Sequence, residues 1–448
     1  MKKVYLETFG CQMNVSDSER VATQLESEGY EITDSEEAAD VVLFNTCSVR
    51  EKAEHKLFTR VGQIYHSDIP NRMVGVMGCV AQLEGETIFK KSNGIDFVLG
   101  TKAVGRIGSA IREVEVNGPG VIDLNDREPE YDWTTNSTQR HSPYVAFVPI
   151  IEGCNKFCTY CIVPFSRGRE KSLPASEIVR EVLKLRHEGV KEVHLIGQNV
   201  NSYRPKTESG LENIHGATLF SRLLRAVART GIERIKFTTS FPRDFHTDIV
   251  DAIEEHENLC NWVHLPVQSG SDVVLKAMRR GHSVENYKKR IDRIHNSTRE
   301  IALSTDVIVG FPGETRKDFE ETLDLFEYCK FDSAYIFNYS SRPGTPASLL
   351  DDDVSKTEKT ERFLELEALQ RSIQTDKFFS QIGKTLKVLV EGTSKQNSNA
   401  LSGHSTCHKV VNFLGEPNLL GSVVNIRITE AKRNSLYGEI EKSLAAEN

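Results

Sequence analysis

Three cysteines fall within eight residues, Cys154-Asn155-Lys156-Phe157-Cys158-Thr159-Tyr160-Cys161, directly after the apolar run Val145 to Ile151. Thiolates at that spacing wrap a soft metal centre, and the segment cannot be helix or strand while doing so. The count of three is informative, because a structural zinc takes four ligands and an iron–sulfur cube is normally held by four cysteines. With three, one iron of a cube is left open to another ligand. The competing reading is a zinc knuckle with a distant fourth His or Cys. Zinc sites usually pair their ligands as short Cys-x2-Cys or His-x3-His units, and no second such unit follows.

Three more cysteines close three apolar runs. Val4-Tyr5-Leu6-Glu7-Thr8-Phe9 ends at Gly10-Cys11, Val41-Val42-Leu43-Phe44-Asn45 at Thr46-Cys47, and Met73-Val74-Gly75-Val76-Met77 at Gly78-Cys79. The capping-box spacings Ser16-Asp17-Ser18-Glu19 and Ser48-Val49-Arg50-Glu51 predict helix starts behind the first two runs. Alternating strands and helices make a parallel sheet, in which sites assemble at the carboxyl ends of the strands. Cys11, Cys47 and Cys79 are therefore expected on one edge as a second three-ligand set. Three unrelated buried cysteines are the bland alternative.

The elements that must position these residues divide the chain into an α/β N-terminal domain (1–118), a polar linker (119–143), a central α/β region (144–378) and a C-terminal module (379–446). The linker begins at Gly118-Pro119-Gly120 and includes Asn125-Asp126-Arg127-Glu128-Pro129-Glu130. In the central region strand-like runs lie at Val145 to Ile151, Glu192 to Ile196, Arg234 to Thr238, Trp262 to Val267, Ile301 to Val309 and Ala334 to Tyr339. Helical stretches include Glu177 to Glu188, Ser283 to Asn296 and Lys317 to Cys329. Six units with right-handed crossovers predict a partial, open TIM-type (β/α)6 barrel, with function at the C-terminal strand ends. The polar insertion Tyr203 to Thr218 on that face reads as a solvated loop or a lid. After a charged helix from Ser355 to Phe379, alternating apolar positions (Leu386, Val388, Val390; Val424, Ile426, Ile428) predict a small antiparallel β-barrel of the OB-like kind.

Composition sets the limits. At 448 residues the chain is long enough for about three domains, and its 38% hydrophobic and 27% charged residues are those of a soluble globular protein. No apolar run reaches the roughly 18 residues of a membrane span, and Met1-Lys2-Lys3-Val4-Tyr5 leads into a strand without a signal-peptide pattern, so a cytoplasmic protein with no membrane partner is expected. Nine cysteines, an odd number, argue for reduced, metal-binding thiols over a disulfide framework. Cys260, Cys329 and Cys407 fit neither triad and read as structural. The net charge of −8 is uneven: residues 380–448 hold 8 Lys+Arg against 6 Asp+Glu, or +2, which leaves −10 for the rest. Small barrels of this kind commonly present a positive face to looped RNA, with Lys384, Lys387, Lys395, Lys409, Arg427, Lys432 and Arg433 as candidates.

The spacing Cys-x3-Cys-x2-Cys, with Tyr160 before the last cysteine, resembles the signature of the radical S-adenosylmethionine (SAM) enzymes. The further motifs are Thr8-Phe9-Gly10-Cys11-Gln12-Met13-Asn14, Asn45-Thr46-Cys47-Ser48-Val49-Arg50-Glu51, Gly78-Cys79-Val80-Ala81, Leu195-Ile196-Gly197-Gln198-Asn199-Val200-Asn201 and His264-Leu265-Pro266-Val267-Gln268-Ser269-Gly270-Ser271. With them the chain resembles, end to end, a radical SAM methylthiotransferase carrying a C-terminal TRAM domain. Gln12-Met13-Asn14 and the run through Lys56-Leu57-Phe58 are most similar to the members that make 2-methylthio-N6-isopentenyladenosine (N6-dimethylallyl) at the adenosine immediately 3′ of the anticodon in tRNA.

The resemblance implies two 4Fe-4S clusters. Cys154, Cys158 and Cys161 would hold the one that generates a radical from SAM, and Cys11, Cys47 and Cys79 an auxiliary one whose open iron carries the sulfur, with two SAM used per turnover. It implies SAM contacts at Tyr160, at Gly197 and Gln198 where the superfamily usually has a Gly-Gly-Glu strand end, at Gln268 and Ser269, and at Ile308 in the fifth-strand motif Asp306-Val307-Ile308-Val309-Gly310. Partners would be the tRNA anticodon stem-loop and proteins donating electrons and sulfur. Radical chemistry suits that substrate, because the C2–H of adenine has no pKa that a His or Glu could reach. The alternatives are a sister enzyme acting on threonylcarbamoyladenosine in tRNA or on a ribosomal-protein aspartate, and a non-catalytic iron–sulfur RNA-binding redox sensor.

Overall fold

The first triad of apolar runs forms adjacent strands of one parallel sheet. In the computed structural model, which describes all residues except 49, 50, 68, 70, 71, 126–138, 396 and 442–448, these are β1 (Lys3–Phe9), β3 (Val41–Thr46) and β4 (Met73–Gly78). With β2 (Glu31–Ile32), β5 (Phe97–Leu99) and β6 (Val121–Asp123) they stand in the order β2-β1-β3-β4-β5-β6, every pairing parallel. Apolar side chains pack on both faces: Val41, Leu43 and Met77 on one, Val42, Phe44 and Val76 on the other. Burial on both faces explains why these strands read as unbroken hydrophobic runs.

Two expectations change here. Helix α1 (Gln12–Ser27) begins four residues before Ser16, with Cys11 as its N-cap in a capping box with Asn14. The sixth strand, Val121–Asp123, carries the sheet into the stretch expected as linker. Most of that stretch lies outside the described residues, as do Val49 and Arg50 of the second expected cap.

The chain resolves into two compact units. The first is Met1–Pro143 with Glu152–Asn155 and Cys161–Lys171. The second is Tyr144–Ile151, Lys156–Tyr160 and Ser172–Asn448. In the second unit six strands form two parallel three-stranded sheets, Val145–Pro149, Glu192–Ile196 and Arg234–Phe237, then Trp262–His264, Ala302–Val309 and Ser333–Asn338. A single parallel bridge, Ile235 to Leu259, joins the third strand to the segment before the fourth, which gives the open six-unit barrel. The helix Lys356–Phe379, capped by Ser355 and Glu358, leads to a closed five-stranded barrel. That barrel is not wholly antiparallel, because Val410–Leu414 pairs in parallel with Leu436–Ile440 to complete the closure.

The N-terminal end of the large barrel is closed by charge. Glu192 is buried between Arg234 (2.7 Å) and Lys236 (2.9 Å), and Arg234 also donates to the carbonyls of His404 (2.8 Å) and Ser405 (3.0 Å) in the small barrel. Buried charges persist only when paired in this way, and here the pairing fixes the small barrel to the large one. No helix is long and apolar enough to cross a membrane among the described residues.

Candidate active site

Strand register sets the first cysteine group. Phe9 pairs with Thr46 and Thr46 with Gly78, so the three strands end level. Cys11 then caps α1, Cys47 follows β3 directly, and Cys79 opens helix α3 (Cys79–Glu84). The turns are held by two buried asparagines. Asn45 Nδ2 donates to the Asn14 carbonyl (2.8 Å) and to Ser18 Oγ (2.9 Å), while Asn14 Nδ2 donates to Asn45 Oδ1 (2.9 Å). Asn14 Oδ1 in turn accepts from the Cys11 thiol at 3.3 Å. Two glycines make room for this lattice. A Cβ on Gly10 would lie 2.5 Å from Asn14 Oδ1, and one on Gly78, at φ +93°, would lie 2.3 Å from Asn45 Oδ1.

The thiols differ in electrostatics. A hydrogen bond from Cys47 lowers the Cys11 pKa to about 6. Burial pushes the Cys79 thiol up, against the pull of Arg167. Ser16 Oγ, Thr46 Oγ1 and Ser48 Oγ are buried without a partner among the described residues, the latter two flanking Cys47. Thiolates at level strand ends, buried hydroxyls and a nearby guanidinium charge make a donor set that fits an anionic iron–sulfur cluster. Among the described residues no three His, Cys, Asp or Glu converge as the ligands of a single ion would. A cube takes each thiolate at a different corner, so its ligands surround a volume rather than a point.

The second cysteine group lies on the loop after Val145–Pro149. Gly153, at φ +74°, has its missing Cβ 2.3 Å from the Arg169 carbonyl, and Cys154 N donates to the Gly168 carbonyl at 3.2 Å. Cys154 and Cys158 are buried and Cys161 is half-buried. Thr159 anchors the middle of the loop: its N–H donates to the Met278 carbonyl (3.1 Å), its hydroxyl to the Ala277 carbonyl (2.9 Å), and its own carbonyl accepts from Ala347 (2.8 Å). Arg280 Nη1 donates to Cys158 Sγ (3.5 Å) and to the Tyr160 hydroxyl (3.4 Å), and the guanidinium lies 4.2 Å from the Phe241 ring centroid.

Several residues expected to touch SAM are brought together. Tyr160 and Ile308 share an apolar cluster with Met278, Phe311 and Tyr339. Ile308 N donates to the Gln268 carbonyl (3.0 Å), and Gln268, at φ +75°, donates to the Asp306 carbonyl (2.9 Å) beside the buried Ser269. A left-handed glutamine is strained, and strain of this kind gathers at functional sites. Gly197 and Gln198 stand at a different strand end, after Glu192–Ile196, where a Cβ on Gly197 would meet Ile151 Cγ2 at 2.3 Å. Tyr203, at the start of the expected loop or lid, is buried with its hydroxyl on the Leu173 carbonyl (2.6 Å).

Sequence reasoning missed Asn14, Asn45, Arg167 and Arg280 as supports. Asn14 and Asn45 stand beside the cysteines in motifs already marked, whereas the arginines reach theirs only through the fold. Of the small-barrel cations, Lys409 is buried against Asp332, Lys384 pairs with Glu300 (2.6 Å) and Lys387 with Glu257 (3.4 Å). Lys395, Arg427, Lys432 and Arg433 stand exposed. Cys260, Cys329 and Cys407 are buried.

Comparison with known proteins gives three family matches: Uncharacterized protein family UPF0004 over residues 3–100, the Radical SAM superfamily over 148–326 and the TRAM domain over 380–440. The tRNA-2-methylthio-N(6)-dimethylallyladenosine synthase of Syntrophotalea carbinolica is 43% identical over 98% of this chain and 100% of its own length. The enzyme of the same name from Haemophilus ducreyi is 42% identical over 98% and 92%. Among solved structures, the radical S-adenosylmethionine methyltransferase TsrM from Kitasatospora setae, with cobalamin and a 4Fe-4S cluster bound, superposes with a TM-score of 0.55 at 14% identity over 78% of this chain and 77% of that one, a likeness of fold.

Proposed function

The chain belongs to the family of the tRNA-2-methylthio-N(6)-dimethylallyladenosine synthases, radical SAM enzymes with a TRAM domain, and we propose that it methylthiolates C2 of N6-dimethylallyladenosine immediately 3′ of the anticodon of tRNA. The observation that carries the reading is the pair of cysteine triads, one on the first barrel loop and one on three level strand ends, in a chain matched over its length by those relatives.

Cys154, Cys158 and Cys161 hold a 4Fe-4S cluster and Cys11, Cys47 and Cys79 a second one. When bound, the first with SAM supplies a 5′-deoxyadenosyl radical and the second supplies sulfur. Arg280, bonded to both Cys158 and the Tyr160 hydroxyl, fixes the thiolate and the aromatic ring as one unit. Tyr160, Gln268, Ser269 and Ile308 bind SAM at adjoining strand ends, and Gly197 and Gln198 complete that site. Asn14 and Asn45 hold the auxiliary cysteines in register. Residues 1–118, 144–378 and 379–446 act as sulfur, radical and RNA-binding domains. Lys395, Arg427, Lys432 and Arg433 contact the phosphates of the anticodon stem-loop, and the enzyme works in the cytoplasm with electron- and sulfur-donor proteins.

Tandem mass spectrometry of tRNA nucleosides from a strain lacking the gene tests the substrate. The reading predicts loss of 2-methylthio-N6-dimethylallyladenosine and accumulation of its unthiolated precursor. Intact 2-methylthio-N6-dimethylallyladenosine with loss of the threonylcarbamoyl counterpart would assign the chain to the sister activity.

A further inference from the structure

Arg167 is buried at 2% exposure, six residues beyond Cys161. Its guanidinium faces the other triad. Nη2 meets Asp17 Oδ2 of α1, the helix that Cys11 caps, at 2.6 Å, Nη1 meets Glu152 Oε1 at 3.4 Å, and the positive charge pulls on the Cys79 and Cys11 thiols. Neutralising Asp17 does not account for this placement, since Arg20 also stands 4.0 Å from that carboxylate. The backbone around Arg167 is pinned on both sides: Thr101 Oγ1 donates to the Ser166 carbonyl (2.7 Å), and the Gly168 carbonyl accepts from Cys154 N (3.2 Å). One guanidinium therefore joins the helix that Cys11 caps to chain flanking the other cysteine loop on both sides, with Glu152 two residues before Cys154.

We propose that Arg167 is a positioning residue of the auxiliary centre, tying down the helix that Cys11 caps and setting the reduction potential of the cluster there by its positive charge. The inference rests on Cys11, Cys47 and Cys79 holding a cluster. A cation beside an iron–sulfur cluster stabilises the reduced form, which carries one more negative charge. Its removal moves the potential to more negative values.

The test uses the full chain bearing Cys154→Ala, Cys158→Ala and Cys161→Ala, reconstituted anaerobically, so that only the auxiliary cluster is read. Iron content and an EPR-monitored redox titration are compared for this parent and for its Arg167→Ala and Arg167→Lys derivatives. Arg167→Ala is expected to shift the midpoint to more negative values, and Arg167→Lys, which keeps the charge, to restore most of the parent's midpoint. Loss of iron in the alanine variant alone, with the lysine variant near the parent midpoint, also supports the proposal. An unmoved midpoint in Arg167→Ala with iron retained overturns it, as does equal displacement or iron loss in both derivatives. A parent that binds no iron defeats the two-cluster reading and the proposal with it, whereas a loaded parent with an unmoved midpoint defeats the role of Arg167 alone.

Discussion

The two cysteine triads are assembled by opposite routes. Cys154, Cys158 and Cys161 occupy one loop, so their separation is set by a few backbone torsions and by anchors within and beside the loop at Cys154, Thr159 and Arg280. Cys11, Cys47 and Cys79 belong to three strands, so their separation is set by sheet register and by two asparagines packed into space left by glycines. A local triad survives small changes elsewhere in its domain. A distributed triad is only as exact as the fold beneath it.

The largest effects follow from removing one ligand at a time. Cys158→Ala is expected to abolish reductive cleavage of SAM, read as 5′-deoxyadenosine by chromatography. Cys47→Ala is expected to retain that cleavage while losing the methylthiolated nucleoside. Equal loss of both readouts in both variants would erase the division of labour.

Disturbing the fold instead of the ligands sharpens the contrast. Asn45→Ala strips partners from Asn14 and Ser18 in a buried network and is expected to cost about 2–3 kcal/mol in chemical denaturation. Iron is expected to leave the auxiliary triad and stay on the local one, measured against the two single-triad variants. A smaller effect is expected from Arg280→Lys, which loses the forked contact to Cys158 and Tyr160 and the stacking on Phe241. Weakening of SAM binding by about tenfold, on the order of 1.4 kcal/mol, is expected in equilibrium titration, with auxiliary iron unchanged.

The smallest expected effect is the response of stability to acid carried by Glu192, His194 and His408. Burial pushes the Glu192 carboxyl up, but Lys236 and Arg234 outweigh it and hold it well below the usual range. Burial lowers His194 and His408. In each case the unfolded chain binds protons that the folded chain does not, so stability falls as pH falls. The decline begins near pH 6.5 for the histidines and steepens below about 4.3 as Glu192 is forced to protonate. Denaturation midpoints at several pH values check the slope, and Glu192→Gln is expected to remove the lower limb.

What was legible in the sequence follows the same division. The local triad was visible as spacing, and the strands were visible because burial on both faces leaves runs such as Val41-Val42-Leu43-Phe44. The start of α1 was misplaced because cysteine is not a favoured cap residue, so Ser16 attracted the assignment that Cys11 holds. The three-residue strand Val121–Asp123 follows Gly118-Pro119-Gly120 and exists only because β5 offers it an edge. The parallel seam of the small barrel is likewise a fact of pairing, with Val411 set against Leu436. Arg167 and Arg280 carry no signal in the sequence, and only the fold shows them buried.

The most direct test of two independent three-cysteine sites is iron and sulfide analysis with Mössbauer spectroscopy of anaerobically reconstituted protein, beside the Cys154→Ala, Cys158→Ala, Cys161→Ala variant. The account predicts about eight irons per chain in the unmodified protein and about four in the variant, as two four-iron cubes require. Four in the unmodified protein and none in the variant would contradict it, leaving Cys11, Cys47 and Cys79 without a cluster.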